Sequence, residues 1–318
     1  MTNNALQGLI VVNKPPGITS YGVVGRIKKI LQVRKAGHTG TLDPFATGVL
    51  PVCLNEGTKL ASFIVEGEKE YEGVLLLGVE TDTQDVTGRI VGEKRSITVT
   101  ETEIKEAFQQ LQGKIMQKPP MYSALKYHGT PLYLWARQGK EVDRKEREVE
   151  IYELSILTIE LPLVFFRVVC SKGTYIRTLV SSIGKNLGCG ACLERLTRTR
   201  SGDFFLNNAI TLAALEKTPL EEIKKKWVIP PTKALSSFPA VTVDEGIVWK
   251  VRRGNTVTYG DLEGKVVLPH DSRKKIRIVN PQGEMIAVAE MGDAGAGNLE
   301  KHLEKPAWKL IRVFNLEP

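Results

Sequence analysis

Residues 37–48 read Gly-His-Thr-Gly-Thr-Leu-Asp-Pro-Phe-Ala-Thr-Gly, and no regular element accommodates them. Glycine, threonine and proline fill more than half of the positions, which breaks both helical and strand periodicity, so the segment has to be a loop. It carries a single carboxylate, Asp43. Loops fixed on a rigid scaffold are where reactive groups are presented, so an acid here is a stronger catalytic candidate than one on a solvated helix. Asp-Pro is also a common turn starter, and the dipeptide by itself favours that structural role. The rest of the chain has to decide between the two.

At 318 residues the chain exceeds the usual size of one domain, so two are expected. Its N-terminus holds only a short apolar run, Leu9–Val12, which is neither a signal peptide nor a membrane span. Cys53, Cys170, Cys189 and Cys192 are too few and too irregularly spaced for a disulfide framework, and a cytoplasmic protein is expected. The formal charge of +8 is unevenly spread. From residue 240 onward there are 12 basic and 11 acidic residues, against 32 and 25 before it. In the first 60 residues, 7 basic side chains face only Asp43 and Glu56. A cationic field around the loop suits a polyanionic partner, of which nucleic acid is the commonest.

Leu9–Val12 reads as a buried strand stopped by Asn13-Lys14-Pro15-Pro16-Gly17. Thr19 or Ser20 then caps a helix whose apolar positions are Val23, Val24, Ile27, Ile30 and Leu31. Residues 71–79 read as a strand, 82–88 as a polar turn and 101–111 as an amphipathic helix. Residues 165–170 form a further strand, 175–187 a helix, and Arg195–Gly202 a second basic patch. Between them, residues 114–148 mix Tyr122, Tyr127, Tyr133 and Trp135 with Lys126, Arg137, Lys140, Arg144, Lys145 and Arg147. Rings that stack on bases among cations that meet phosphate suit RNA, and a satellite core beneath a surface excursion fits the same composition. Three prolines mark a linker between Ile229 and Pro239, and short strands with glycine turns follow.

Metal chemistry has little support: His38, His128, His270 and His302 are scattered, and Cys189-Gly190-Ala191-Cys192 is a lone CxxC without a partner pair. Asp82 and Asp85 in their turn supply too few ligands for a cation. No GxGxxG or GxxxxGK[ST] phosphate loop is present. Neither cofactor nor metal is expected. One carboxylate acts as nucleophile or base without either, provided that a cation, ideally an arginine fork, keeps it ionised. The residues alone do not choose that arginine.

The loop GHTGTLDPFATGVLP resembles the signature of the bacterial TruB family, the tRNA pseudouridine-55 synthases. The resemblance runs in order through NKPPGITS, EKEYEG, TDTQDVTG, KPPMYSALK, SKGTYIRT and RTRSG, over residues 9–203. It implies an α+β pseudouridine synthase fold with a mixed, largely antiparallel sheet, followed by a small β-rich, PUA-like RNA-binding domain. The implied boundaries are 1–237 for the catalytic domain, with an RNA-binding insertion at about 118–148, and 240–318 for the second domain. By motif, Asp43 matches the catalytic aspartate and His38 the residue that holds the T loop open around the flipped uridine. Tyr71 matches the tyrosine that stacks on that base. Tyr175 and Arg177 match active-site residues, the arginine pairing with the aspartate. Leu196 resembles a pocket leucine, Lys14 and Pro15 match the first motif near the pocket floor, and Lys126 and Arg137 fall in the RNA-binding insertion.

The implied reaction breaks the N1–C1′ bond of uridine, turns the uracil and rejoins it through C5. Taking the base out of its stack requires wedge and stacking residues. Asp43 would attack C1′, attack C6 or remove the 2′ proton, and the sequence leaves the three open. The implied partner is the T arm of tRNA, met by a monomer without a guide RNA. The RNA-guided relatives lack most of the segment corresponding to residues 126–148, which is present here. A tRNA-binding or folding protein without catalysis is the remaining alternative, and the complete set of Asp43, Tyr71 and Arg177 speaks against it.

Overall fold

The computed structural model describes residues 6–92, 96–263, 266, 275–292 and 303–315; His270 and His302 lie outside the described residues. Eight strands carry most of the first half of the architecture: β1 (Gly8–Lys14), β2 (Thr47–Leu54), β3 (Lys69–Leu77), β4 (Gly113–Gln117), β5 (Arg147–Glu160), β6 (Leu163–Cys170), β7 (Ala191–Ser201) and β8 (Ile210–Thr211). Their spatial order is β8-β1-β2-β7-β3-β6-β5-β4. The β1/β8 and β2/β7 pairs are parallel and the other neighbours on this path are antiparallel. The sheet is mixed and largely antiparallel, and the fold is α+β.

Each element follows from local chemistry. Helix α1 (Ser20–Leu31) starts where the Thr19 hydroxyl accepts the Gly22 amide, and buries Val23, Val24, Ile27 and Leu31 against the β1/β2 end of the sheet. Helix α2 (Glu101–Gln109) opens on a Thr100/Glu103 capping box. Helix α3 (Ile176–Asn186) buries Leu179, Val180 and Ile183. Its Gly184 lets strand β7 pass close by, since a Cβ there would sit 2.1 Å from the Ala191 amide nitrogen. Helices α2 and α3 cover the core formed by Leu75, Val164, Phe166, Val168 and Leu193.

Three regions differ from the sequence reading. The 37–48 segment is a loop only between its ends: Ala36–His38 pairs with Val52–Leu54, and Thr47 and Gly48 open β2, because backbone pairing with β2 overrides the local turn chemistry. The Arg195–Gly202 patch is mostly strand: β7 runs through Ser201 in the middle of the sheet, and Arg198 is 1% exposed. The Ile229–Pro239 linker is also partly structured. Val228 and Ile229 pair with Ile10 and Leu9 on β1, and Pro231, Ala234 and Leu235 are buried. Apolar complementarity with the β1 edge holds that segment down despite its prolines.

Beyond it, Ala240–Thr242 (β9), Lys275–Val279 (β10), Met285–Met291 (β11) and Trp308–Val313 (β12) form a separate sheet in that order. Helix α4 (Glu245–Arg252) packs Ile247, Val248 and Val251 into its core. Met285, Val288 and Phe314 share a second cluster with Leu9, Val11, Val49 and Leu60, which seats this module against the β1/β2 region. Among the described residues, no helix is long and apolar enough to cross a membrane.

Candidate active site

The 37–48 loop is fixed by its neighbours more than by its own sequence. Ser20, buried at the start of α1, accepts the Leu42 amide at 2.8 Å and donates to the Leu42 carbonyl at 3.0 Å. The Pro44 carbonyl receives the Gly17 amide at 2.8 Å and the Lys14 ammonium at 3.0 Å. Lys14 is fully buried, donating also to the Pro15 and Ile18 carbonyls, and burial pulls its ammonium down to about 8. Lys14 and Pro15 thus tie the NKPPG turn beneath the Asp43-Pro44 bend. At the loop's end Gly48 stands opposite Arg198 with φ +103°, and a Cβ there would lie 2.2 Å from the Arg198 carbonyl oxygen. Only glycine fits that crossing.

Held in this way, Asp43 meets Arg177 from the first turn of α3. Arg177 Nε donates to Asp43 Oδ2 at 2.8 Å and Nη2 to Oδ1 at 3.0 Å, a bidentate fork. Two more of its N–H donors go to the Thr83 carbonyl at 2.8 Å and the Tyr122 carbonyl at 2.8 Å. Arg177 is 4% exposed, whereas Asp43 keeps 32% of its side chain open. Desolvation raises the Asp43 carboxyl above its ordinary value; Arg177 opposes this, and the nearby Asp85 charge adds to it. Asp85 Oδ2 lies 3.6 Å from Arg177 Nη1, with Oδ1 capped by the Thr87 amide and by the Thr83 and Thr87 hydroxyls. The turn that reads as polar surface in the sequence therefore supplies a second carboxylate behind the arginine.

Asp43 and Arg177 line a cleft of about 320 Å³ together with Lys69, Tyr71, Ser123, Tyr175, Leu196 and Arg198. Tyr71 and Arg198 are register partners on β3 and β7, and both are buried. Desolvation raises the Tyr71 hydroxyl. Leu196 lies two residues before Arg198 on the same face of β7. Arg198 spends its guanidinium on the Val49 carbonyl at 2.7 Å and the Gly40 carbonyl at 3.1 Å, stitching β7 to both ends of the loop. Tyr175 is placed by Gln117 at the end of β4: its amide donates to Gln117 Oε1 at 2.7 Å, and Gln117 Nε2 donates back at 3.0 Å. Burial pushes the Tyr175 hydroxyl up as well.

The structure therefore brings Asp43, Arg177, Tyr71, Tyr175 and Leu196 together around one cleft. Half-buried His38 stands at the loop's entrance, where its Nδ1 accepts the Gly40 amide at 3.4 Å; burial and then the Arg198 charge lower its pKa. Lys126 and Arg137 do not line the cleft. Lys126 sits exposed on the short Lys126–Tyr127/Thr130–Pro131 hairpin, and Arg137 lies over the Tyr133 ring at 5.5 Å. Sequence reasoning did not place Lys69, Gln117, Ser123 or Arg198 in the site, and it weighed Asp85 only as a cation ligand. For two of them a signal existed: Lys69 is two residues from Tyr71, and Arg198 alternates with Leu196 in the period of a strand.

The model of the N-terminal domain of the TruB family of pseudouridylate synthases matches residues 28–176, and that of the tRNA pseudouridylate synthase B C-terminal domain matches residues 177–235. The tRNA pseudouridine synthase B of Geotalea uraniireducens (strain Rf4) is 44% identical over 314 residues, covering 98% of this chain and 99% of that protein. The chain belongs to the TruB family. Its TruB membership makes it a pseudouridine synthase, an isomerase. The enzyme of the same name from Syntrophus aciditrophicus (strain SB) is 41% identical over 310 residues, again 98% of this chain and 99% of the other. Among solved structures, a chain of the Cbf5-Nop10-Gar1 complex superposes with a TM-score of 0.73 at 30% identity, covering 98% of this TruB chain and 86% of its own. A chain of an H/ACA RNP bound to a substrate RNA containing 2′-deoxyuridine gives the same TM-score at 28% identity, with 99% and 88% covered.

Proposed function

We propose that this protein converts uridine to pseudouridine at position 55 in the T loop of tRNA, through a flipped base and an essential aspartate, without a cofactor. The observation that carries the reading is the Asp43–Arg177 fork at the mouth of a cleft walled by Tyr71 and Leu196. The fork keeps the Asp43 carboxylate charged and oriented although burial works against its charge, and leaves it one-third open to a substrate. Tyr71 offers a ring face for the extruded base, and Leu196 closes the apolar side, where a detached uracil has to be retained. Tyr175 shares the cleft and acts on the same substrate, while His38 stands where the loop meets the opened RNA. Lys14 and Pro15 act from below by holding the loop in place.

RNA binding falls to the surface beyond the cleft. Lys126 and Arg137, with the rings of Tyr127, Tyr133 and Trp135, present cations and stacking faces on the excursion at about 118–148. The module after residue 240 is assigned as a PUA-like second RNA-binding domain, with the catalytic domain ending near residue 237. The protein works as a cytoplasmic monomer. The H/ACA relatives favour a guide RNA as the second reading, and the 126–148 excursion is the feature that favours direct tRNA recognition here. Incubation with unmodified tRNA, followed by chemical mapping of pseudouridine, tests activity, position and guide independence together. Modification confined to position 55 without added RNA is the expected result.

A further inference from the structure

Lys69 is a buried cation in the cleft wall that the roles assigned so far leave unused. It lies on β3 two residues before Tyr71, so strand alternation puts both side chains on the same face of the sheet. It is 5% exposed and lines the cleft together with Asp43 and Tyr71. Its ammonium donates to the Val65 carbonyl at 2.6 Å and to the Gly67 carbonyl. A lysine has three N–H donors, so one remains beyond these two. Among the described residues no carboxylate lies within ion-pair distance of it. The carboxylate acting on it, Glu66, is engaged by Lys172 at 2.5 Å. The other groups acting on Lys69 are Arg198 from β7, Cys170 from β6 and Lys172, two of them cations. Burial and Arg198 together pull the ammonium down to about 8. A buried, unpaired ammonium is costly, and one placed in the wall of a reaction cleft suits an anion that exists only during the reaction.

The reaction proposed above, on which this inference rests, generates such an anion when Asp43 removes the 2′ proton or attacks C1′, the two routes that free the base. When N1–C1′ breaks, its electron pair stays with the uracil, whose charge spreads over N1, O2 and O4. Asp43 meanwhile takes the 2′ proton or bonds to C1′. After rotation, C5 supplies the pair for the new bond to C1′, Asp43 returns the proton or leaves, the C5 proton passes to water and N1 takes one from water. We propose that Lys69 is a catalytic residue that stabilises the detached uracil anion beside Tyr71 by a charge-assisted hydrogen bond, giving up no proton of its own. It holds the anion through cleavage and rotation and loses its partner when the C5–C1′ bond forms.

The test uses a T-arm RNA under single-turnover conditions with the full-length protein. Lys69→Gln keeps two N–H donors for the carbonyls and removes the charge; Lys69→Arg keeps the charge. Loss of one preorganised donor to a developing anion predicts that K69Q turns over about 100-fold more slowly while its RNA affinity changes by less than about threefold, with K69R recovering at least about tenfold. A K69Q rate near wild type, equal losses in K69Q and K69R, or a rate loss matched by weaker RNA binding would each overturn the assignment. If K69Q does not fold, K69R decides through its pH profile. Arginine does not titrate in this range, so the fall in rate above pH 8 should move at least about one unit higher than in wild type. An unmoved profile contradicts the proposal. Wild-type protein that makes no pseudouridine contradicts the underlying reading itself, a result distinct from all of these.

Discussion

Arg177 grips both carboxylate oxygens of Asp43, at 2.8 and 3.0 Å, across 134 residues of sequence. The same guanidinium is held by the carbonyls of Thr83 and Tyr122, so three distant chain segments converge on the one planar group that α3 supplies. Lysine cannot reproduce that fork. Arg177→Lys should lose at least about 100-fold in turnover while remaining folded. Arg177→Ala should also lose stability, near the low end of the about 3–5 kcal/mol typical of orphaning a buried ion-pair partner, because Asp43 is partly solvated. Single-turnover kinetics and urea unfolding measure the two effects.

Tyr71 lines the cleft, and in the proposed reaction its aromatic plane matters more than its hydroxyl. Tyr71→Leu should reduce turnover far more than RNA affinity, whereas Tyr71→Phe should keep binding and folding close to wild type. Parallel falls in rate and affinity for Tyr71→Leu would argue against a stacking role. Filter binding and rate measurements on the same T-arm RNA make the comparison.

The acid side of the pH–rate profile should report Asp43. In the proposed mechanism its carboxylate is the active form, and its pKa is raised by burial, so activity on acidification should be lost above the ordinary aspartate range. Asp85 contributes to that rise through its like charge. Asp85→Asn should therefore move the acid limb to lower pH, as kcat/KM measured across the acid range will show. A shift to higher pH would contradict the charge arrangement.

Ser20 carries the loop from a distance. Its hydroxyl is the partner of the buried Leu42 amide, so Ser20→Ala leaves that N–H unsatisfied and should cost about 1–3 kcal/mol. Because the loss falls on the backbone next to Asp43, turnover should drop while RNA binding holds. Thermal unfolding and single-turnover rates on the same variant are the check.

The sequence foretold what is locally encoded. Helix α1 is visible in Val23, Val24, Ile27 and Leu31 and in its Thr19 cap, and the middle of the 37–48 loop in its glycine, threonines and proline, whereas the strand pairing of both its ends was not. The central position of β7 was harder to see because Arg195, Arg198 and Arg200 look like solvated surface. Register shifts at Leu193/Arg195 and at Arg198/Arg200 further blur its alternation. Arg198 tolerates burial only because the Val49 and Gly40 carbonyls receive it, and these lie about 150 residues away in sequence. Asp85 was hidden for the same reason: its local turn is all that its neighbours reveal, and its place behind Arg177 is set by the pairing of its turn with Leu193 on β7. Contacts made at long range are settled by the topology of the sheet, which single-segment patterns do not carry.

The central claim is that the Asp43 carboxylate drives the isomerisation. Forming the C5–C1′ bond expels the hydrogen of uridine C5, so tritium placed there is a direct count of turnover. With C5-tritiated tRNA, wild-type protein should release the label, and Asp43→Asn should bind the same tRNA with nearly unchanged affinity yet release none above background. Release by Asp43→Asn at the wild-type rate would contradict the account.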